Sequence, residues 1–109
     1  MNIDANTDTQ NQLIDLSVLI PVYNEQDVLG LLFERLFPVM DELGRSFEVV
    51  FVNDGSSDNS ADILARQFGK RPDVVRVVSL SSNAGQHAAL IAGFEHTRGK
   101  FIITPVSYT

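Results

Sequence analysis

The chain has 109 residues, 44% of them hydrophobic, with a formal net charge of −6 and no cysteine. That length holds one small domain at most, and the missing cysteines exclude disulfides, thiolate metal sites and a cysteine nucleophile. No basic stripe offsets the acidic balance, which argues against nucleic acid as a partner and against electrostatic docking on an anionic membrane.

Residues 1–14 are rich in Asn, Asp, Gln and Thr. They lack the basic and apolar regions of a signal peptide and read as a polar disordered tail. Leu16 to Val22 is the first strand, and Pro21 near its end removes a ladder donor. It is far shorter than the ~20 residues that span a bilayer, so no membrane segment is expected. Nothing requires an oxidising compartment, and a cytoplasmic location is expected. From Gln26 to Leu43 the residues Leu29, Leu32, Phe33, Leu36, Met40 and Leu43 fall at helical spacing. Pro38 lies inside this helix and is expected to kink or split it, and Gly44 ends it.

Phe47 to Asn53 is the second strand, with five β-branched or aromatic residues in the six from Phe47 to Val52, as in a strand buried on both faces. Asp58 to Phe68 follows as a short helix with Ala61, Leu64, Ala65 and Phe68 expected to face inward. Val74 to Leu80 is the third strand. Gly85 to Arg98 is the third helix, with Ala88, Ile91 and Ala92 small enough for close packing on a sheet. Phe101 to Thr104 begins a fourth strand. Strand and helix alternating with short connections predict an α/β fold, an open parallel sheet with helices on both faces. The expected domain is 15–104, with 105–109 outside it.

In such a sheet ligands bind beyond the carboxyl ends of the strands. The loops at Tyr23-Asn24-Glu25, Asp54-Gly55-Ser56 and Asn83-Ala84-Gly85-Gln86 therefore leave one edge together. Asp54 is the first candidate for a ligand contact. A plainer reading stays open, in which Ser57 or Asp58 only caps the following helix. Neither G-x-G-x-x-G nor G-x-x-x-x-G-K-[ST] occurs, so a dinucleotide site and a P-loop are both unsupported. A tyrosine and two carboxylates instead suit a nucleobase and ribose, the nucleoside end of a sugar nucleotide.

Ile20-Pro21-Val22-Tyr23-Asn24-Glu25, Val52-Asn53-Asp54-Gly55-Ser56-Ser57-Asp58 and Asn83-Ala84-Gly85-Gln86-His87-Ala88-Ala89, with Gly99-Lys100-Phe101-Ile102 after them, resemble the opening of a family 2 glycosyltransferase of GT-A fold. The likeness covers about residues 16 to 104 and is greatest to bacterial polyprenyl-phosphate glycosyltransferases. It implies the Rossmann-like, nucleotide-binding N-terminal half of a GT-A domain. It also implies a UDP- or GDP-sugar donor, a lipid-phosphate acceptor, and a place on the cytoplasmic face of the inner membrane for the full-length family. By this resemblance Pro21, Tyr23 and Glu25 line a nucleoside pocket with Val22 and Asn24 between them. Asp54 holds the base, next to Gly55 and Ser56, while Asn83, Gly85 and Gln86 close or contact the site.

The family carries an Asp-x-Asp pair after its fourth strand, which holds Mg²⁺ or Mn²⁺ against the donor diphosphate. Here the sequence reads Thr104-Pro105-Val106-Ser107-Tyr108-Thr109. The expectation is a truncated transferase that has no metal or catalytic residue of its own and transfers no sugar alone, the alternative being a non-catalytic nucleotide-binding or folding remnant. The fourth strand would then be an open edge that invites self-association. His87 and His96 are nine positions apart, roughly opposite on one helix, and make a poor metal pair. A phosphoacceptor domain using Asp54 is disfavoured, because that acceptor should follow the third strand and Glu25 is the only carboxylate at the first loop.

Overall fold

The computed structural model of the chain describes residues 14–105. Four strands, β1 (Leu16–Val22), β2 (Phe47–Asp54), β3 (Val75–Leu80) and β4 (Phe101–Ile103), alternate with three helices, α1 (Gln26–Glu42), α2 (Ser60–Lys70) and α3 (Gln86–Phe94). The strands form one parallel sheet in the order β3-β2-β1-β4. β1 and β2 run level, from Leu16 opposite Phe47 to Val22 opposite Asn53, so the loops that follow them leave side by side. The chain steps outward from β1 to β3 and then returns to the far side of β1. Between β1 and β4 the direction of winding reverses, which is where open sheets of this kind form a ligand crevice.

Alternation along β1 divides the core into two layers. Val18, Ile20 and Val22 pack with Val49 and Phe51 under Leu29, Phe37 and Met40 of α1 and Leu64 of α2. Leu19 packs with Val50 and Val52 under Ala89 of α3 on the opposite face. Helices thus cover both faces, and every residue of β2 is buried. Phe33 meets Phe51 edge-on at 5.6 Å between ring centres, an arrangement aromatic pairs prefer. No helix among the described residues is long and apolar enough to cross a membrane. Most of the expected polar tail, and residues 106–109, lie outside the described residues. Ile14, which composition groups with the tail, accepts a backbone hydrogen bond from Lys100.

Expectations for each of the three helices need correction. Pro38 does not split α1, which runs unbroken to Glu42. Pro38 lies on the exposed side of the helix, away from the packed core. Phe37 joins the core of α1 while Leu43 is exposed.

The buried stripe of α2 is Ser60, Leu64 and Gln67, with Ile63 partly buried; Ala61, Ala65 and Phe68 are exposed. Two polar residues on the inner side hid this stripe from a hydrophobicity reading. The third helix ends at Phe94, well before Arg98, and Ala89 and Gly93 are its buried residues, with Ile91 exposed. A Cβ at Gly93 would overlap the Leu19 side chain and lie 2.8 Å from Val52 Cγ2. The missing side chain is what lets α3 sit this close to the sheet.

Two of the helix glycines should respond oppositely to alanine. Gly30→Ala, with nothing within 4 Å of its Cβ position, should stabilise the fold by about 0.5–1 kcal/mol through helix propensity. Gly93→Ala should destabilise it by roughly 1–3 kcal/mol through overpacking, and urea unfolding of both variants reads the signs.

Candidate functional site

The loops after β1 and β2 are joined by hydrogen bonds that run in both directions. None of the three helices is capped by a side-chain bond from its own N-cap residue. Free N–H groups at a helix start need acceptors, and here the neighbouring loop supplies them. Glu25 N donates to Ser60 Oγ at 2.9 Å and Gln26 N to Asp58 Oδ2 at 3.2 Å, which serves α1 from the second loop. In return Ser57 N and Asp58 N donate to Asn24 Oδ1 at 2.8 and 3.3 Å, and Asn59 N to Gln26 Oε1 at 2.9 Å. Asn24 N also donates to Ser56 Oγ at 3.0 Å. Asn24 holds a φ of 51° to do this, a left-handed conformation that asparagine tolerates better than most residues.

The second loop is bound to the third by Asp54. Its carboxylate is buried and accepts Ala84 N at 2.8 Å through Oδ1 and Gly85 N at 2.9 Å through Oδ2. Gly55 lies directly against the third loop with a φ of 71°, and a Cβ there would come within 2.5 Å of Asn83 N. Both its backbone angle and its clearance require glycine. Gly85, with a φ of 96°, also receives a second contact, its N–H donating to Asn83 Oδ1 at 3.0 Å.

This leaves a polar rim made by all three loops, and not all the candidates serve it alike. Tyr23 is 44% exposed, and the side chains of Asn83 and Gln86 are also open to solvent, while Glu25 is half-buried. Pro21 is half-buried at the end of β1. Val22 is a correction to the candidate set: its side chain is fully buried in the α1 and α2 layer and supports the rim from beneath. Asn24 and Ser56 are engaged in joining loops, and Asp54 in holding the third. Ser60, Asp58 and Gln26 are rim-building residues that sequence reasoning missed as a set, though the helix-capping alternative pointed at Asp58. Asp58 does cap α2, accepting Ser60 N at 2.9 Å through Oδ1, and it serves α1 as well.

The match along the sequence decides the family. Residues 17–105 fit glycosyl transferase family 2. The chain belongs to that family.

Among curated relatives, the undecaprenyl-phosphate 4-deoxy-4-formamido-L-arabinose transferase of Edwardsiella ictaluri is 50% identical over 90 residues, covering 82% of this chain and 27% of the relative. The protein of the same name from Pseudomonas aeruginosa is 50% identical over 92 residues, covering 84% and 27%. The chain therefore spans about a quarter of the length of these relatives. Among solved structures, S. aureus TarS 1–349 superposes with a TM-score of 0.63 at 26% identity over 84% of this chain and 27% of that one. The mannosyltransferase PcManGT from Pyrobaculum calidifontis, in complex with GDP-Man and Mn²⁺, gives 0.61 at 25% identity over 80% of this chain and 25% of that one. The family 2 chain thus shares its fold with GT-A glycosyltransferases, as its sequence motifs imply.

A shallow groove also lies between α1 and α2, lined by Gly30, Phe33, Phe37, Gln67 and Lys70 among others. Gln26, Arg66 and Glu34 also line it, and Arg71 at its end is already held by Asp41 and Asp73 at 3.1 and 3.2 Å. At the rim, polar groups of three loops meet at the carboxyl ends of the strands.

Two predictions follow from the rim. Asn24→Ala removes the acceptor of two N–H groups and places alanine at a positive φ, so it should cost about 1–3 kcal/mol in urea unfolding. The second prediction concerns acid. Desolvation opposes ionisation of Asp58, but hydrogen bonds from the Ser60 hydroxyl and from the Ser60 and Gln26 N–H groups together outweigh it and hold its carboxyl below the ordinary 3.8. The Arg71 hydrogen bonds likewise lower Asp73. A carboxyl whose pKa is lower folded than unfolded stabilises the fold above the unfolded value, and that stability is lost as pH falls through the folded one. Thermal stability should therefore fall below about pH 4, and Asp58→Asn should flatten part of that fall.

Proposed function

We propose that this chain is the donor-binding part of a glycosyltransferase that passes a sugar from a UDP- or GDP-sugar to a polyprenyl phosphate. The observation that carries this reading is the convergence of three loops on one rim, tied by Asp54, with Tyr23 exposed and Glu25 half-buried at its edge. The relatives' names supply the acceptor class, and the neighbours were solved with UDP or GDP-Man. Under this reading residues 15–104 are a partial GT-A domain. The whole protein acts on a lipid phosphate at the cytoplasmic face of the inner membrane.

Each rim residue then has a role set by its surroundings. Tyr23 packs its ring on the base, and Pro21 stiffens the loop that presents it. Glu25 accepts hydrogen bonds from ribose hydroxyls. A carboxylate has about four lone-pair sites, so Asp54 can hold two backbone N–H groups and still accept one from a base. Asn24, Gly55 and Ser56 keep the first two loops at the right separation, with Val22 under them. Asn83, Gly85 and Gln86 close the third side.

The family's Mg²⁺ or Mn²⁺ does not fit the residues described. Among them no three His, Asp or Glu side chains lie close enough together to hold an ion, and no step here runs through one. The exposed Phe101, Ile102 and Ile103 of β4 support association of the free chain with another chain through that edge.

Titration with UDP and with GDP, with and without Mg²⁺, tests the proposal. Weak binding indifferent to the metal is expected. Tyr23→Ala should weaken it roughly three- to tenfold without lowering the melting temperature, whereas Asp54→Ala should lose binding and stability together. Binding unchanged by Tyr23→Ala and by Glu25→Gln would put the ligand elsewhere.

A further inference from the structure

At the end of the sheet opposite the rim lies a second buried carboxylate. Glu48, the second residue of β2 and followed by the apolar run Val49 to Val52, is fully buried. Its Oε2 accepts Ser17 Oγ and Arg98 N, both at 2.7 Å, and its Oε1 accepts Arg98 Nε at 3.2 Å. Ser17 Oγ in turn accepts Gly99 N at 2.8 Å. Every donor in this cluster comes from β1 or from the two residues that lead into β4.

Among the described residues, β4 offers no buried side chain to fix its position. It is three residues long, and Phe101, Ile102 and Ile103 are 63%, 39% and 46% exposed. Register is normally enforced because a one-residue slip turns buried side chains to water. With both faces of β4 already exposed, a slip carries no such penalty. Its backbone bonds, Lys100 N to Ile14 O and Phe101 N to Asp15 O, belong to a ladder that a shifted strand would also form. The Glu48 cluster discriminates between registers. A Cβ at Gly99 would lie 2.6 Å from Ser17 N and Oγ, so neither Arg98 nor Lys100 fits in its place.

We propose that Glu48 is a positioning residue whose buried carboxylate, through Ser17 and the Arg98-Gly99 backbone, sets the register of β4 on β1. Specifying register is the best-attested use of a buried polar group. The assignment stands independently of what the rim binds.

Native-state amide exchange on the full chain tests it residue by residue. In Glu48→Gln, protection at Gly99, Lys100 and Phe101 should fall on the order of tenfold to a hundredfold, while Phe51, Val52 and Val77 change by less than about threefold. Ser17→Ala should give the same selective pattern with a smaller drop. Equal loss across all strands would overturn the proposal, since Glu48 would then be only a general contributor to stability. Retained protection at residues 99–101 would overturn it too. So would unfolding of both variants, because a lock on one edge strand must leave β1, β2 and β3 standing.

Discussion

The carboxylate of Asp54 accepts the N–H groups of Ala84 and Gly85, and without that pair of bonds the loop after β3 has no fixed relation to the other two. One side chain with two acceptor oxygens thus holds two successive backbone donors. Because the donors sit at the start of α3, the same contact satisfies part of that helix's open end. Gly55 lets the loops touch where any side chain would part them. The nucleoside reading proposed above depends on this junction, because it is what brings the third loop to the other two.

β2 carries one buried carboxylate near each end, Asp54 at the rim and Glu48 at the base. Both take backbone N–H groups from the crossover that contains α3, one before the helix and one after it. Between them Ala89 and Gly93 lie on the sheet. The crossover that reverses the winding of the chain is thus held at three points by the central strands. Charges this deep are costly unless fully hydrogen-bonded, and no buried side-chain nitrogen or oxygen among the described residues lacks a partner.

The strands were legible because β1, β2 and β3 are short apolar runs bounded by turn residues, and the parallel sheet follows from their alternation with helices. Tyr23, Glu25 and Asp54 were legible as strand-end residues. Reciprocal capping was not, since Asn24 meets Ser57 across 33 positions and no local pattern records such a pair. Glu48 looked like the one polar residue in an apolar run, and only its partners 31 and 50 positions away explain it. The inner side of α2 was misread for the same reason: Ser60 is buried there because Glu25 N needs its hydroxyl. Gly93 gave no signal, because close approach to Leu19 and Val52 is a property of the packed sheet alone.

The exposed edge at β4 has a kinetic side. The contacts that join β1, β2 and the first two rim loops link residues about 30 positions apart, whereas Gly99 reaches back to Ser17 over 82. Closing a longer loop costs more chain entropy before any contact rewards it. During synthesis from the N-terminus, the three-stranded unit can therefore assemble before residues 98–103 are available, and β4 docks after β1, β2 and β3.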